Sequence, residues 1–224
     1  MRPTAVVTGA SSGIGLAIVQ RLLAEGWQVV GLSRRPPELQ HAGYEHRPVD
    51  LLDRPALAQA LKGLRCDALV HAAGVLKTGC LGELQEADGA TMWQLHVAAA
   101  ETLTQALVGH MPEGGRIVLI GSRTATGSPG RSQYAASKAA LVAMARSWAA
   151  ELAPRRITVN VVAPAATQTP MLADPARAGV QPRLPPMGRF IQPAEVAATT
   201  AFLLSAGAAS ITGQQIVVCG GASL

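Results

Sequence analysis

The chain has 224 residues, 49% apolar and only 3% aromatic, with a net charge of +5. This length suits one α/β domain, residues 1–224, with a large aliphatic core. The positive balance comes from scattered arginines rather than a basic block with interleaved aromatics, which excludes a nucleic-acid-binding surface of the usual kind.

The first apolar run, 4–8, is a predicted strand. Gly9-Ala-Ser-Ser-Gly13-Ile-Gly15 then opens a helix over 14–25, which Gly26 closes. Strands follow at 27–33 and 47–49, a helix at 54–63, and a strand at 67–70 that runs into His71-Ala72-Ala73-Gly74. A long helix is expected over 90–108, a strand over 116–121, and an Ala- and Leu-rich helix over 131–152. A strand at 157–162, a Pro-rich stretch at 164–186, a helix at 193–205 with Pro193 in its first turn, and a strand at 214–218 complete the chain. The strands are continuous apolar runs alternating with helices, the pattern of a parallel sheet covered on both faces. No apolar run reaches about 18 residues, so no membrane span is expected. The N-terminus does not read as a signal peptide. Cys66, Cys80 and Cys219 show neither metal-ligand nor CxxC spacing, which fits a reduced, cytoplasmic setting.

Tyr134 and Lys138 stand four residues apart in a helical segment, so both lie on one face. A fixed ammonium stabilises phenolate. Lowering a phenol from about 10 to neutrality takes roughly 3 units, or about 4 kcal/mol. Ser122, at the end of the 116–121 strand, places a hydroxyl where that phenol would be presented.

The turn from Gly9 to Gly15, between the first strand and its helix, suits a pyrophosphate: glycines admit close backbone approach, and the helix N-terminus offers free N–H groups. Ser11, Ser12 and Ile14 belong to the same turn. An NAD site usually carries an acid about 20 residues further on. Here the second strand ends Ser33-Arg34-Arg35, with no acid nearby, which favours the 2′-phosphate of NADP(H) over NAD(H). Asp50-Leu51 follows the third strand. Asp50 reads either as an acceptor for an adenine amino group or as a helix N-cap. No Gly-Lys-Ser/Thr follows the turn, which excludes a P-loop phosphotransferase.

These residues together resemble the short-chain dehydrogenase/reductase (SDR) family over essentially the whole chain. Thr8-Gly9-x-x-x-Gly13-x-Gly15 resembles its cofactor turn, and Ser122, Tyr134 and Lys138 its catalytic set. Asn160-Val-Val-Ala-Pro164 and Thr169-Pro-Met171 resemble its sixth-strand segment. Gly188-Arg189, Pro193-Ala-Glu195, Thr212-Gly213-Gln and Gly220-Gly221 resemble its C-terminal third. The resemblance implies a single-domain Rossmann-type doubly wound sheet of about seven strands. It implies a carbonyl–alcohol oxidoreductase in which Tyr134 exchanges the proton, Ser122 orients the oxygen, and Lys138 binds the nicotinamide ribose. It places Ala72, Ala73, Gly74, Pro164, Thr167 and Thr169 against the cofactor. The Ser-to-Tyr interval is one residue shorter than the family's commonest spacing.

The family commonly has Asn-Asn-Ala-Gly where this chain has His71-Ala72-Ala73-Gly74, which removes an amide that braces the sheet. At the position of the family's proton-relay Asn stands His96, expected to anchor the relay water or to shuttle protons itself. A lid is expected over 171–187, rich in proline, in which Arg177 and Arg183 would draw in an anion; Arg123, Thr124 and Arg131 would line the pocket. The helices over 90–108 and 131–152 would pair in a homodimer or homotetramer. An NAD-dependent dihydrodiol or alcohol dehydrogenase, and a catalytically silent nucleotide-binding regulator on the same fold, remain as alternative readings.

Overall fold

The computed structural model describes residues 2–173 and 182–224. Seven strands form one parallel sheet in the order β3-β2-β1-β4-β5-β6-β7. They are β1 (Thr4–Thr8), β2 (Gln28–Ser33), β3 (Tyr44–Pro48), β4 (Ala68–His71), β5 (Arg116–Ile120), β6 (Thr158–Pro164) and β7 (Gln215–Val218). The helices are α1 (Gly13–Ala24), α2 (Arg54–Leu61), α3 (Glu86–Trp93), α4 (Ala99–Val108), α5 (Ser132–Leu152) and α6 (Pro193–Leu204).

Successive strand residues point to opposite faces, and here both faces are dry. Val6, Leu69 and Leu119 pack with Leu57, Leu103 and Leu141 of α2, α4 and α5. Ala5, Val7, Val70 and Ile120 pack with Ile18, Leu22, Val196 and Leu203 of α1 and α6. This is why the strands read as unbroken apolar runs. The strand order reverses between β1 and β4. In such sheets ligands bind at that switch point, beyond the C-terminal strand ends, and the chain ends of β1, β4, β5 and β6 carry the residues singled out above.

Two elements differ from the sequence reading. The third strand begins at Tyr44 rather than near Arg47. It is the sheet edge, with Glu45 and Arg47 ion-paired in solvent, so an apolar run does not mark it. The helix expected over 90–108 starts earlier, at Glu86, and is interrupted. Residues Gln94–Ala98 form a single π-turn between α3 and α4. Such one-residue expansions occur often at functional sites, and this one carries His96. Pro193 opens α6 as expected, after a capping box between Gln192 and Glu195. Among the described residues no helix is long and apolar enough to cross a membrane, and the three cysteines are unbridged.

Candidate active site

α5 brings Tyr134 and Lys138 together as its four-residue spacing requires. The Lys138 Nζ lies 5.8 Å from the Tyr134 ring centroid. Lys138 is buried and its Nζ donates to the Ile120 carbonyl at 2.8 Å. Burial pushes its pKa down to about 7, because a dry site disfavours the charged form. Ser122, at the end of β5, caps the 3-10 turn Arg123–Thr126: its Oγ accepts from the Thr124 N–H at 3.2 Å and pairs with Thr124 Oγ1 at 2.8 Å. When Thr124 is the donor, the Ser122 O–H is free to point outward. Ser122, Tyr134 and Lys138 all line one cavity of about 670 Å³, with Gly74, Pro164, Thr167 and Thr169 on its other walls.

Two buried histidines sit behind this cavity, each with a tautomer fixed by its partners. His71 Nε2 faces the Leu95 carbonyl at 3.1 Å, so it carries the hydrogen, and Nδ1 accepts from Thr8 Oγ1 at 2.9 Å. Thr8 Oγ1 in turn accepts from the N–H groups of Ala72 and Ala73, each at 3.0 Å. The brace expected to be lost with the family's Asn is therefore present. An imidazole spans β1, β4 and the π-turn in its place. The sequence reading missed it because Thr8, read as part of the cofactor turn, lies 63 residues from His71. Burial drives the His71 pKa down to about 3, which keeps the ring neutral.

His96 Nε2 accepts the Val75 N–H at 3.1 Å, which leaves Nδ1–H to donate to Ser137 Oγ at 2.9 Å; Ser137 then donates to the Tyr134 carbonyl at 2.8 Å. The His96 ring meets the edge of the Tyr134 ring, with centroids 5.6 Å apart at 86°. Both nitrogens are committed, and burial, then the charge of Lys138, hold the ring well below its ordinary pKa. A proton shuttle titrating near neutrality does not fit that setting. A rigid support for the loop after β4 and for α5 does.

The glycine turn fits a dinucleotide. Gly9 has φ +66°, and a Cβ there would lie 2.9 Å from the Ala73 backbone; at Gly15 it would lie 2.1 Å from the Gly9 carbonyl oxygen. A side chain at either position would collide with backbone, so these glycines let the turn close against the segment after β4 and on itself. Ser12 precedes α1 in extended conformation and makes no side-chain cap bond, and the first turn holds no acid. The orphan N–H groups and dipole of α1 are left for an anion. Thr169 closes over this turn, its Cγ2 3.3 Å from the Cβ position of Gly13.

At the far end, Arg34 and Arg35 are exposed, and among the described residues neither guanidinium has a partner. The Ser33 hydroxyl is buried in its own turn, donating to the Arg35 carbonyl at 2.8 Å and meeting His46 Nε2 at 3.1 Å. Leu51 is buried. Asp50 is exposed and accepts from the Leu52 N–H; the N-cap of α2 is Asp53, which accepts from the Ala56 N–H. The N-cap reading of Asp50 is thus corrected. Of the expected lid, Arg183 lines the cavity that holds Ser122, Tyr134 and Lys138, while Pro175 and Arg177 lie outside the described residues.

The fold and the site define a nucleotide-binding oxidoreductase of the doubly wound α/β type. Comparison with known proteins gives the family. The family model described as Enoyl-(Acyl carrier protein) reductase matches residues 9–223. The chain is 34% identical over 234 residues to 3-oxoacyl-(acyl-carrier-protein) reductase FabG of Salmonella typhimurium, covering 97% of this chain and 96% of that protein. It is 36% identical over 238 residues to 2,3-dihydro-2,3-dihydroxybenzoate dehydrogenase of Escherichia coli, with 97% and 96% covered. A short-chain dehydrogenase family protein from Francisella tularensis superposes with a TM-score of 0.92 at 25% identity, covering 100% and 99% of the two chains. A metagenomic blue fluorescent protein in complex with NADPH superposes at 0.86 and 30%, with 99% and 98% covered. The chain belongs to the short-chain dehydrogenase/reductase family.

Proposed function

We propose that the protein is an NADP(H)-dependent enzyme that interconverts a carbonyl and a secondary alcohol. The observation that carries this is the convergence of Ser122, Tyr134 and Lys138 on one cavity beside an uncapped, glycine-lined helix N-terminus. When bound, the nicotinamide supplies or accepts the hydride. Gly9, Ser11, Ser12, Gly13, Ile14 and Gly15 would hold its pyrophosphate, Ala72 to Gly74 and Lys138 its ribose, and Pro164, Thr167 and Thr169 its carboxamide end.

In the reductive direction Tyr134 gives its phenolic proton to the carbonyl oxygen. Ser122 donates a hydrogen bond to the same oxygen and fixes its approach. Lys138, as ammonium, stabilises the resulting phenolate. Reversal serves oxidation. The relatives named for acyl-carrier-protein and dihydrodiol chemistry support the reaction type, and the NADPH complex among the structural neighbours supports the cofactor choice.

Arg34 and Arg35 carry that choice. Each charged hydrogen bond to a 2′-phosphate contributes about 1.5–3 kcal/mol. Arg34→Ala with Arg35→Ala is expected to raise KM for NADPH by roughly 100-fold while KM for NADH stays within about threefold. An absorbance assay over ketones, quinones and 3-oxoacyl thioesters reads it. Equal KM values for the two cofactors in the unaltered enzyme would instead favour the NAD-dependent reading.

His96 acts in this scheme as a positioning residue. His96→Asn keeps one acceptor and one donor and is expected to retain turnover within a few-fold. His96→Ala orphans the Val75 N–H and Ser137 and is expected to lose tenfold or more. A pH series gives an independent signature. Below about 6.5 the unfolded chain binds protons that folded His71 and His96 refuse, so stability falls as pH drops through 6.5 toward about 3. The melting temperature of His96→Asn should fall less steeply than that of the unaltered protein across this window.

The half-buried Met144 and Trp148 of α5 and the exposed Trp93 of α3 support assembly as a homodimer or homotetramer. Light scattering should give a mass above that of one chain.

A further inference from the structure

The cavity that holds the catalytic side chains has a one-signed wall. Besides Lys138 it is lined by Arg123, Arg131 and Arg183, and among the described residues by no aspartate or glutamate side chain. The rest is aliphatic: Leu76, Pro129, Met171, Leu172 and Leu184. Four arginines elsewhere are ion-paired, Arg21 with Glu25, Arg47 with Glu45, Arg156 with Glu113 and Arg189 with Glu195, and Arg34 and Arg35 are exposed to solvent. Arg123 differs. It follows Ser122 directly, is half-buried at the cavity wall, and its guanidinium has no partner among the described residues. Its hydrogen-bond donors are open to a ligand anion at the cavity wall.

The anion does not belong to the pyrophosphate turn. That turn lies after β1, whereas Arg123 lies after β5, on the side where Ser122 receives the reacting oxygen. We propose that the substrate is an oxo-carboxylic acid or its hydroxy-acid product, whose carboxylate is gripped by Arg123, with Arg183 adding charge from the segment after β6, while its carbonyl rests on Ser122 and Tyr134. A planar guanidinium fork matches a planar carboxylate with two parallel hydrogen bonds. The aliphatic wall takes the intervening carbon chain. This rests on the carbonyl-reductase reading above.

The test compares charged and neutral forms of the same ketone. Benzoylformate, 4-oxopentanoate and 5-oxohexanoate are each assayed against their methyl esters, with dihydroxyacetone phosphate as a phosphate-bearing ketone. The expected result is a kcat/KM at least roughly 30-fold higher for one acid than for its ester. Arg123→Met should erase that preference by raising KM for the acid far more than for the ester, and be partly rescued by Arg123→Lys. Calorimetry of the corresponding hydroxy acid with Tyr134→Phe should show the same dependence on Arg123 without turnover. Equal rates on acids and esters, an equal loss on both in Arg123→Met, or an Arg123-dependent preference for the phosphate over every carboxylate would overturn the inference while the reductase reading stands. Absence of turnover on every ketone, charged or neutral, would overturn the reductase reading itself.

Discussion

Tyr134→Phe is expected to lower turnover by about 10³-fold while cofactor affinity stays within about twofold. A positioned general acid contributes roughly 10²- to 10⁴-fold, and this residue is the one phenol on the cavity wall. The substitution removes a single oxygen. The ring keeps its edge contact with His96 and its place beside Lys138, so the helix face and the ammonium stay where they are. Ser137 still donates to the residue-134 carbonyl, because that bond is to backbone. Loss of rate with retained binding, read by single-turnover absorbance and by quenching of reduced-nicotinamide fluorescence, identifies a chemical role. A variant that kept more than a tenth of the rate would remove the phenol from the mechanism. It would assign the proton transfer to another donor on the cavity wall, such as Ser122.

That prediction was accessible from the sequence because its residues sit close together in a regular helix. Spacing of four on α5 places two side chains on one face whatever the tertiary context. The sheet was legible for a similar reason: strands dry on both faces leave continuous apolar runs. Legibility failed where function depends on partners far apart in sequence. His71 reads as a lost amide until Thr8, 63 residues away, is seen accepting two N–H groups and giving its own hydrogen to the ring. His96 reads as a proton carrier because its ordinary pKa is near neutral; only its burial and the bonds to Val75 and Ser137 remove that option. The π-turn has no periodicity signal at all, since one extra residue in a helix shifts the pattern by less than a sequence window resolves. The edge strand β3 failed because its polar residues face water. Arg123 was expected in the pocket only as a neighbour of Ser122, and the company it keeps there, Arg131 and Arg183 with aliphatic side chains, needed the cavity.

Lys138→Met is expected to abolish useful turnover and, at the same time, to make the cofactor-free protein more stable. The ammonium is fully buried and its pKa is pushed down to about 7, against about 10.4 in an unfolded chain. At pH 7 the unfolded state binds nearly a full proton and the folded state about half of one. The difference of some 3 units corresponds to about 4 kcal/mol lost from stability relative to alkaline pH. Methionine is apolar, of similar length, and carries no such cost. The change leaves the Ile120 carbonyl without its donor, which costs about 1–3 kcal/mol. The net gain is roughly 2 kcal/mol, or about 4–8 °C in Tm for a domain of this size. The sign has a second consequence. Stability of the unaltered protein should rise with pH above 7, because the unfolded chain holds the proton longer, and Lys138→Met should flatten that rise. Cys66 acts oppositely at higher pH. Its buried thiol is pushed up to about 12, so the folded state holds that proton longer and loses stability once pH passes about 8.5. The clean window is therefore pH 7 to about 8.5, scanned by calorimetry without cofactor. Rate should fall roughly 100-fold or more in the same variant, since the phenolate loses its neighbouring cation. A variant both inactive and less stable would mean that Lys138 is a structural hydrogen-bond donor whose charge is already well satisfied, and that the dry-site account of this pair is wrong.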